Sequence, residues 1–240
     1  MKTSTKNNKS ALTSMFILGL AALLLNSCSK PVANSNINTP VAGVGFVQAS
    51  PDEPPLDIFF NNSKYNSLPI VYGNTFSYAP VNAGKVPIAL YNDVTVKAVV
   101  ADTVQLAQNV TYSLFLTNTV SSPQLFLLPD TLAKPAAGNA SIRFIDLSPD
   151  AAAVDLVIKG GAKLAGNVTF KGHSTFLPVQ GDMFYTLEVH AAGTSTVLAT
   201  LSNFKYQTGF LYTVWFHGLA SGTSSADNLA VDIITNTYFL

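Results

Sequence analysis

Charge and cysteine are both scarce in this sequence. Charged residues make up 11% of its 240 positions, against about 25% in ordinary globular chains. A polyanion-binding surface and a self-repelling coil are both excluded by that shortage. The single cysteine, Cys28, has no partner for an internal disulfide. No stretch of the sequence shows sustained helical periodicity after the first 27 residues. No Gly-x-Ser-x-Gly elbow occurs, and "KGGAKLAG" at Lys159 lacks the Gly-Lys-Ser/Thr ending of a phosphate loop. The apolar run from Ala11 to Leu25 is shorter than the roughly 20 residues a spanning helix requires.

That apolar run has a different use. Lys2, Lys6 and Lys9 precede it, and Asn26-Ser27-Cys28 closes it, which is the layout of a secretory signal. "LNSC" resembles the lipobox of bacterial lipoproteins, with Leu25 at its start, small Ser27 before the cut and Cys28 after it. The resemblance implies a signal peptide over residues 1–27, cleavage before Cys28, and lipidation of Cys28. More than one acyl chain gives stable anchoring to a membrane. Removing the signal takes three of the thirteen basic residues and none of the thirteen acidic ones. The remaining net charge of −3 makes nucleic acid an unsuitable partner. Residues 28–43, rich in Asn, Ser, Pro and small side chains, read as a flexible tether.

The rest of the chain is written twice. "VGFVQASPDEPPLDIFF" from Val44 returns 98 residues later as "IRFIDLSPDAAAVDLVI" from Ile142. "YAPV" at Tyr78 returns as "FLPV" at Phe176, and "TYSLFL" at Thr111 returns as "LYTVWF" at Leu211, now 100 residues apart. Phe115 therefore corresponds to Trp215, the only tryptophan. Two copies separated by "DTLAKPAAGNA" indicate a first repeat over 44–130, a linker over 131–140 and a second repeat over 141–240. Leu56, Ile58 and Phe60 alternate with Asp57, Phe59 and Asn61, and Val154, Leu156 and Ile158 with Asp155, Val157 and Lys159. A period of two is that of strands with one buried face and the aspartate on the other. Tyr212, Val214 and Phe216 alternate with Thr213, Trp215 and His217, which fits a central strand covered on both sides. Turn residues punctuate these runs at short spacing.

The opening pair "FVQASPDEPPLDIFF" and "FIDLSPDAAAVDLVI", with the later "PV" turn and "YTVWFHG", resembles the domain-of-unknown-function 4397 family of bacterial envelope and secreted proteins. The resemblance covers both repeats, and the first departs from it where "YSLFLTN" lacks the tryptophan and glycine. It implies no activity and transfers no catalytic residue. The expected fold is all-β, with two tandem immunoglobulin-like, Greek-key β-sandwich domains after a signal peptide and tether. The antibody Cys…Trp…Cys signature is absent, so the likeness is one of architecture.

Chemistry is harder to find. In Ser-Pro-Asp, proline fixes its own φ and aspartate bonds nearby backbone N–H groups, which makes a turn. The competing reading joins Asp52 with Asp57, or Asp150 with Asp155, into a calcium site, but only Glu53 supplies a further carboxylate nearby. His173, His190 and His217 all fall in the second repeat at spacings of 17 and 27, which match no zinc pattern. An outward-facing pair accounts for His190 and Glu188. "DTV" at Asp102 and "DTL" at Asp130 resemble an Asp-Thr-aliphatic O-glycosylation sequon. Among aromatics, Trp215 is the first candidate for an exposed sugar-binding platform. The sequence thus supports a non-enzymatic, lipid-anchored cell-envelope protein that binds or scaffolds, located at the outer membrane. The alternative is an accessory carbohydrate-binding component of a glycan-uptake system. No catalytic residue, metal or cofactor is expected; the partners are the membrane, through the N-terminal lipid, and an envelope protein or a glycan. Replacing Cys28 by Ser is expected to abolish incorporation of labelled palmitate and to release the protein from the membrane fraction; retention of the label would place the acyl group elsewhere.

Overall fold

The computed structural model describes residues 39–224 and 227–239. The signal segment 1–27, Cys28 and the tether up to Asn38 lie outside the described residues. Among the described residues there are sixteen strands and no helix. The first half contains β1 (Val41–Gln48), β2 (Leu56–Phe60), β3 (Ser63–Lys64), β4 (Thr75–Asn82), β5 (Gly84–Asn92), β6 (Ala98–Leu106), β7 (Thr111–Thr117) and β8 (Gln124–Asp130). The second contains β9 (Asn139–Asp146), β10 (Val154–Ile158), β11 (Lys163–Val168), β12 (Leu177–Gln180), β13 (Met183–Ala191), β14 (Val197–Tyr206), β15 (Phe210–His217) and β16 (Ala230–Tyr238). Each half folds as two four-stranded sheets, in the orders β4-β1-β7-β8 with β3-β2-β5-β6, and β12-β9-β15-β16 with β11-β10-β13-β14. β1 runs parallel to β7, and β9 parallel to β15. β1 starts inside the stretch read as tether, because Val41–Gly43 pair with Pro80–Asn82 and the Gly43 N–H donates to the Val110 carbonyl at 3.0 Å.

Alternation fixes the core of each half. Leu56, Ile58 and Phe60 of β2 pack with Val44 and Phe46 of β1 and Leu114 and Leu116 of β7. Their counterparts Val154, Leu156, Phe144, Val214 and Phe216 do the same in the second half. The opposite faces of β1, β7, β9 and β15 are also apolar. Val47, Ala49, Phe115 and Leu128 from the first half join Ile145, Leu147 and Trp215 from the second in a third buried cluster. The layers therefore run outer sheet, inner sheet, inner sheet, outer sheet, with residues 39–240 forming one compact unit. Strands buried on both faces carry near-continuous apolar runs, as "SLFL" and "TVWF" do.

The two halves meet through the same face. Val47 corresponds to Ile145, Ala49 to Leu147 and Phe115 to Trp215, so the contact has the form of the isologous interface of a two-fold dimer. Its polar centre breaks that symmetry. Arg143 Nη1 lies 2.6 Å from Asp130 Oδ1, with side-chain exposures of 3% and 0%. Arg143 also donates to Thr213 Oγ1 at 2.9 Å. The Tyr78 hydroxyl and Ser113 Oγ donate to Asp130 Oδ2 at 2.7 and 2.9 Å. Thr213 donates to Asn236 Oδ1, and Asn236 Nδ2 donates to the Tyr78 oxygen. By strand register Asn236 corresponds to Asp130, each lying one residue past the partner of Tyr212 or Tyr112. Arg143 corresponds to Gly45, where an added Cβ would meet the Tyr78 ring at 3.1 Å. One half thus supplies the acid and the space, the other the guanidinium and the neutral amide.

Truncating Trp215 to Ala is expected to cost about 3–5 kcal/mol in urea unfolding. Arg143→Met leaves Asp130 buried without its counter-ion and is expected to cost about 3–5 kcal/mol, much of it recovered in the Asp130→Leu/Arg143→Met double variant. Equal losses in the single and double variants would contradict the pairing.

Candidate functional site

The repeated Ser-Pro-Asp is a long-range clamp rather than a self-contained turn. The Asp52 carboxylate accepts the Val120 N–H at 2.8 Å, 68 residues away, and Ser50 Oγ donates to the Asn118 carbonyl at 2.6 Å. In the second half Asp150 accepts the backbone N–H of Ala220 and of Ser221 and the Ser221 hydroxyl, while Ser148 Oγ donates to the Gly218 carbonyl. The motif ties the loop after β1 or β9 to the loop after β7 or β15. Partial burial pushes the Asp150 carboxyl up, but its bonds from Ser221 and Ala220 outweigh this and hold it below the usual aspartate range. The residue two places before each serine helps to shape the clamp: Gln48 Oε1 accepts the Ser50 N–H and Asp146 Oδ1 accepts the Ser148 N–H. Burial raises Asp146 to about 7, against the lowering effect of its Ser148 bond. Burial, with Asp52 beside it, raises Glu53 to about 7.

The other sequence candidates separate. Trp215 is 1% exposed in the cluster between the halves and stacks on His217, with ring centroids 4.0 Å apart, so it is not a surface platform. It faces inward because the odd-numbered side chains of β15 point at the other half. Asp155 is buried rather than solvated, and accepts bonds from Lys163 Nζ and from the N–H groups of Asn167 and Gly193. Its Lys163 bond is the main cause of a carboxyl pulled down to about 2. His217 Nδ1 lies 2.5 Å from the Tyr72 hydroxyl and its Nε2 3.0 Å from Asp232, while His190 Nε2 meets Glu188 at 3.0 Å. His173 is exposed on the approach to β12. Among the described residues no group of three or more His, Cys, Asp or Glu is placed to hold a metal. The Thr103 of "DTV" is exposed on β6, whereas the Asp130 of "DTL" is committed to Arg143.

Two grooves flank the junction of the halves, one of about 280 Å³ beside Arg143 and Phe176, the other of about 220 Å³ beside Gly45 and Tyr78. They occupy corresponding positions. Arg143 stands over the Phe176 ring at 4.9 Å with its guanidinium committed to Asp130 and Thr213. The Tyr78 hydroxyl is likewise committed to Asp130 and Asn236. Neither groove offers a free anchoring group of this set.

A third hollow, of about 210 Å³, lies on the outer sheet of the first half. Phe59 on β2 and Tyr91 on β5 form it, with ring centroids 5.2 Å apart and planes at 77°. Both are half-buried and project from the face of the sheet opposite the core. Asp57 and Asp93 bring carboxylates, Asn62 and Asn92 side-chain amides. Asp57 Oδ2 bonds Lys64 at 2.7 Å, and Asp93 Oδ1 is buried without a hydrogen-bond partner. Val96, at φ 57°, forms the lip, and Val94 and Val96 are 80% and 72% exposed. A β-branched residue in the left-handed region costs of order 1–3 kcal/mol and collects at functional sites. The corresponding positions of the second half carry different side chains. Register places Val157 for Phe59, His190 for Tyr91 and Glu188 for Ala89, and Lys159 pairs with Glu188 at 3.2 Å. Sequence reasoning passed over this hollow, although Phe59 stands at a polar-phase position of its strand where the other copy has Val157.

The fold defines an all-β protein of two sandwich-like units. Residues 42–157 match the family model described as a domain of unknown function (DUF4397), a span covering the first half, β9 and most of β10. No curated protein matches the chain. A similar solved structure is the crystal structure of CBMbc, a family CBM26 module of Amy13K from Eubacterium rectale, in complex with maltoheptaose. It shares 9% identity over 82% of this chain and 97% of that chain, with a TM-score of 0.26, a level that carries no argument.

The raised carboxyls of Asp146 and Glu53 give a pH dependence of known sign. A folded-state value above the unfolded one stabilises fully below about pH 4, and that contribution is lost as pH rises through about 7. Each such proton adds a slope of up to ~1.4 kcal/mol per pH unit in that window. Asp146→Asn keeps the acceptor for Ser148 and is expected to flatten the urea midpoint between pH 5 and 8; an unchanged pH profile would refute a protonated Asp146.

Proposed function

We propose that this is a non-enzymatic binding protein of the bacterial cell envelope, held at the outer membrane by lipid on Cys28, with residues 141–240 as a second copy of the family domain. Its four-layer body carries binding surfaces on its outer faces, and the hollow beside Phe59 and Tyr91 is the one used. The observation supporting this reading is the difference between the two outer faces. At matching positions one has half-buried aromatic rings, carboxylates and amides lining a hollow, and the other has an ion-paired Lys159–Glu188–His190 surface. Aromatic faces beside acceptor-rich polar groups suit a sugar ring, whose C–H faces are apolar and whose edges donate hydrogen bonds. The ligand is accordingly a glycan, and the protein an accessory component of glycan capture rather than an enzyme.

A glycan array and titration calorimetry test this. Binding is expected, lost at least tenfold on Phe59→Ala or Tyr91→Ala and unchanged by Val157→Ala in the second half. Binding that survives loss of both aromatics would remove the hollow from the account.

A further inference from the structure

We propose that the glycan held by the Phe59–Tyr91 hollow is one bearing free amino groups, a deacylated hexosamine rather than a neutral or N-acetylated sugar; this rests on the reading of the hollow as a glycan site. Charge balance carries the argument. In the second half the strand aspartate is saturated: Asp155 accepts from Lys163, Asn167 N–H and Gly193 N–H. In the first half Asp57 has Lys64 and the Asn66 amide, and the hairpin supplies no N–H to it. That hairpin instead brings a second carboxylate, Asp93, whose Oδ1 is buried with no donor. Two carboxylates therefore line the hollow, and its one ion pair, Lys64 with Asp57, leaves Asp93 without a lysine. A cation bound beside two carboxylates that share one counter-ion is favoured by charge.

The aromatic wall selects the same ligand. Phe59 and Tyr91 pack edge to face, at 5.2 Å and 77°, and together make one aromatic wall of the hollow, against which a ligand can lie. A ring face attracts an ammonium through its quadrupole, most strongly where water is excluded. A hexosamine offers both parts at once, an apolar ring face for the aromatic and a primary ammonium for the acids. N-acetylation removes the charge, and a neutral hexose lacks it. The apolar Val96 lip accommodates the remainder of the sugar chain without competing for the ammonium.

The mature protein, solubilised in a sugar-free non-ionic detergent, is titrated with four probes: a β-1,4-linked glucosamine tetramer, its N-acetylated form, cellotetraose and tetralysine. The glucosamine tetramer is expected to bind about tenfold or more tighter than the other three, weakening as salt rises. Asp93→Asn is expected to remove most of that preference. The Ala89→Glu/Tyr91→His variant, which copies the Glu188 and His190 of the second half, is expected to abolish binding while keeping the urea midpoint. If the N-acetylated or cello-oligomer binds as tightly and Asp93→Asn changes nothing, the amino-sugar assignment falls and the glycan reading stands. If tetralysine binds as tightly as the glucosamine tetramer, the hollow recognises amines without the sugar and the assignment falls. If no sugar probe binds, the glycan reading falls with it.

Discussion

The structure turns on a charge pair sealed between two sheets. Asp130 and Arg143 lie at the junction of the halves, joined in one network with Tyr78, Ser113, Thr213 and Asn236. A buried pair adds little to stability over an apolar pair of the same volume. Its consequence is specificity. Val47, Ala49, Phe115, Ile145, Leu147 and Trp215 could slide over one another as apolar surfaces, but the acid can be satisfied in one register only. The pair thus fixes how two similar faces meet.

The two halves are alike in strand order and pack through the same inner face, as a homodimer would, and they differ in particular places. At the junction Gly45 yields the space and Arg143 supplies the charge. At the loop ends both copies keep the Ser-Pro-Asp clamp, because each must tie the end of its first strand to a loop some 68 to 71 residues further on. On the outer faces the matching positions differ in kind: ion pairs in the second half, and aromatic rings beside a hollow in the first.

Much of the fold was legible because alternation is a local signal. The strands around Asp57 and Asp155 and the buried central strand at Tyr212–Phe216 follow from period and turn residues. What a strand's second face touches is a tertiary fact and leaves no local mark. Trp215 is a candidate surface aromatic in a strand whose sequence already fits covering on both sides, and only the packing of the halves shows its face to be the buried one. Asp155 reads as solvated from the alternation of its strand, while its donors Lys163, Asn167 and Gly193 come from other segments. The hollow did leave a trace: two aromatics, Phe59 and Tyr91, on the polar phase of their strands where the matching positions hold Val157 and His190. Seeing it required the pairing of β2 with β5, which lie thirty residues apart in the chain.

Native-state hydrogen exchange tests the interlocked body most directly. If the halves stand or fall together, amides of β1 and β7 and those of β9 and β15 exchange with the same free energy and the same denaturant dependence, as one cooperative unit. The result that would contradict the account is one half opening fully at a lower free energy while the inner sheet of the other remains protected.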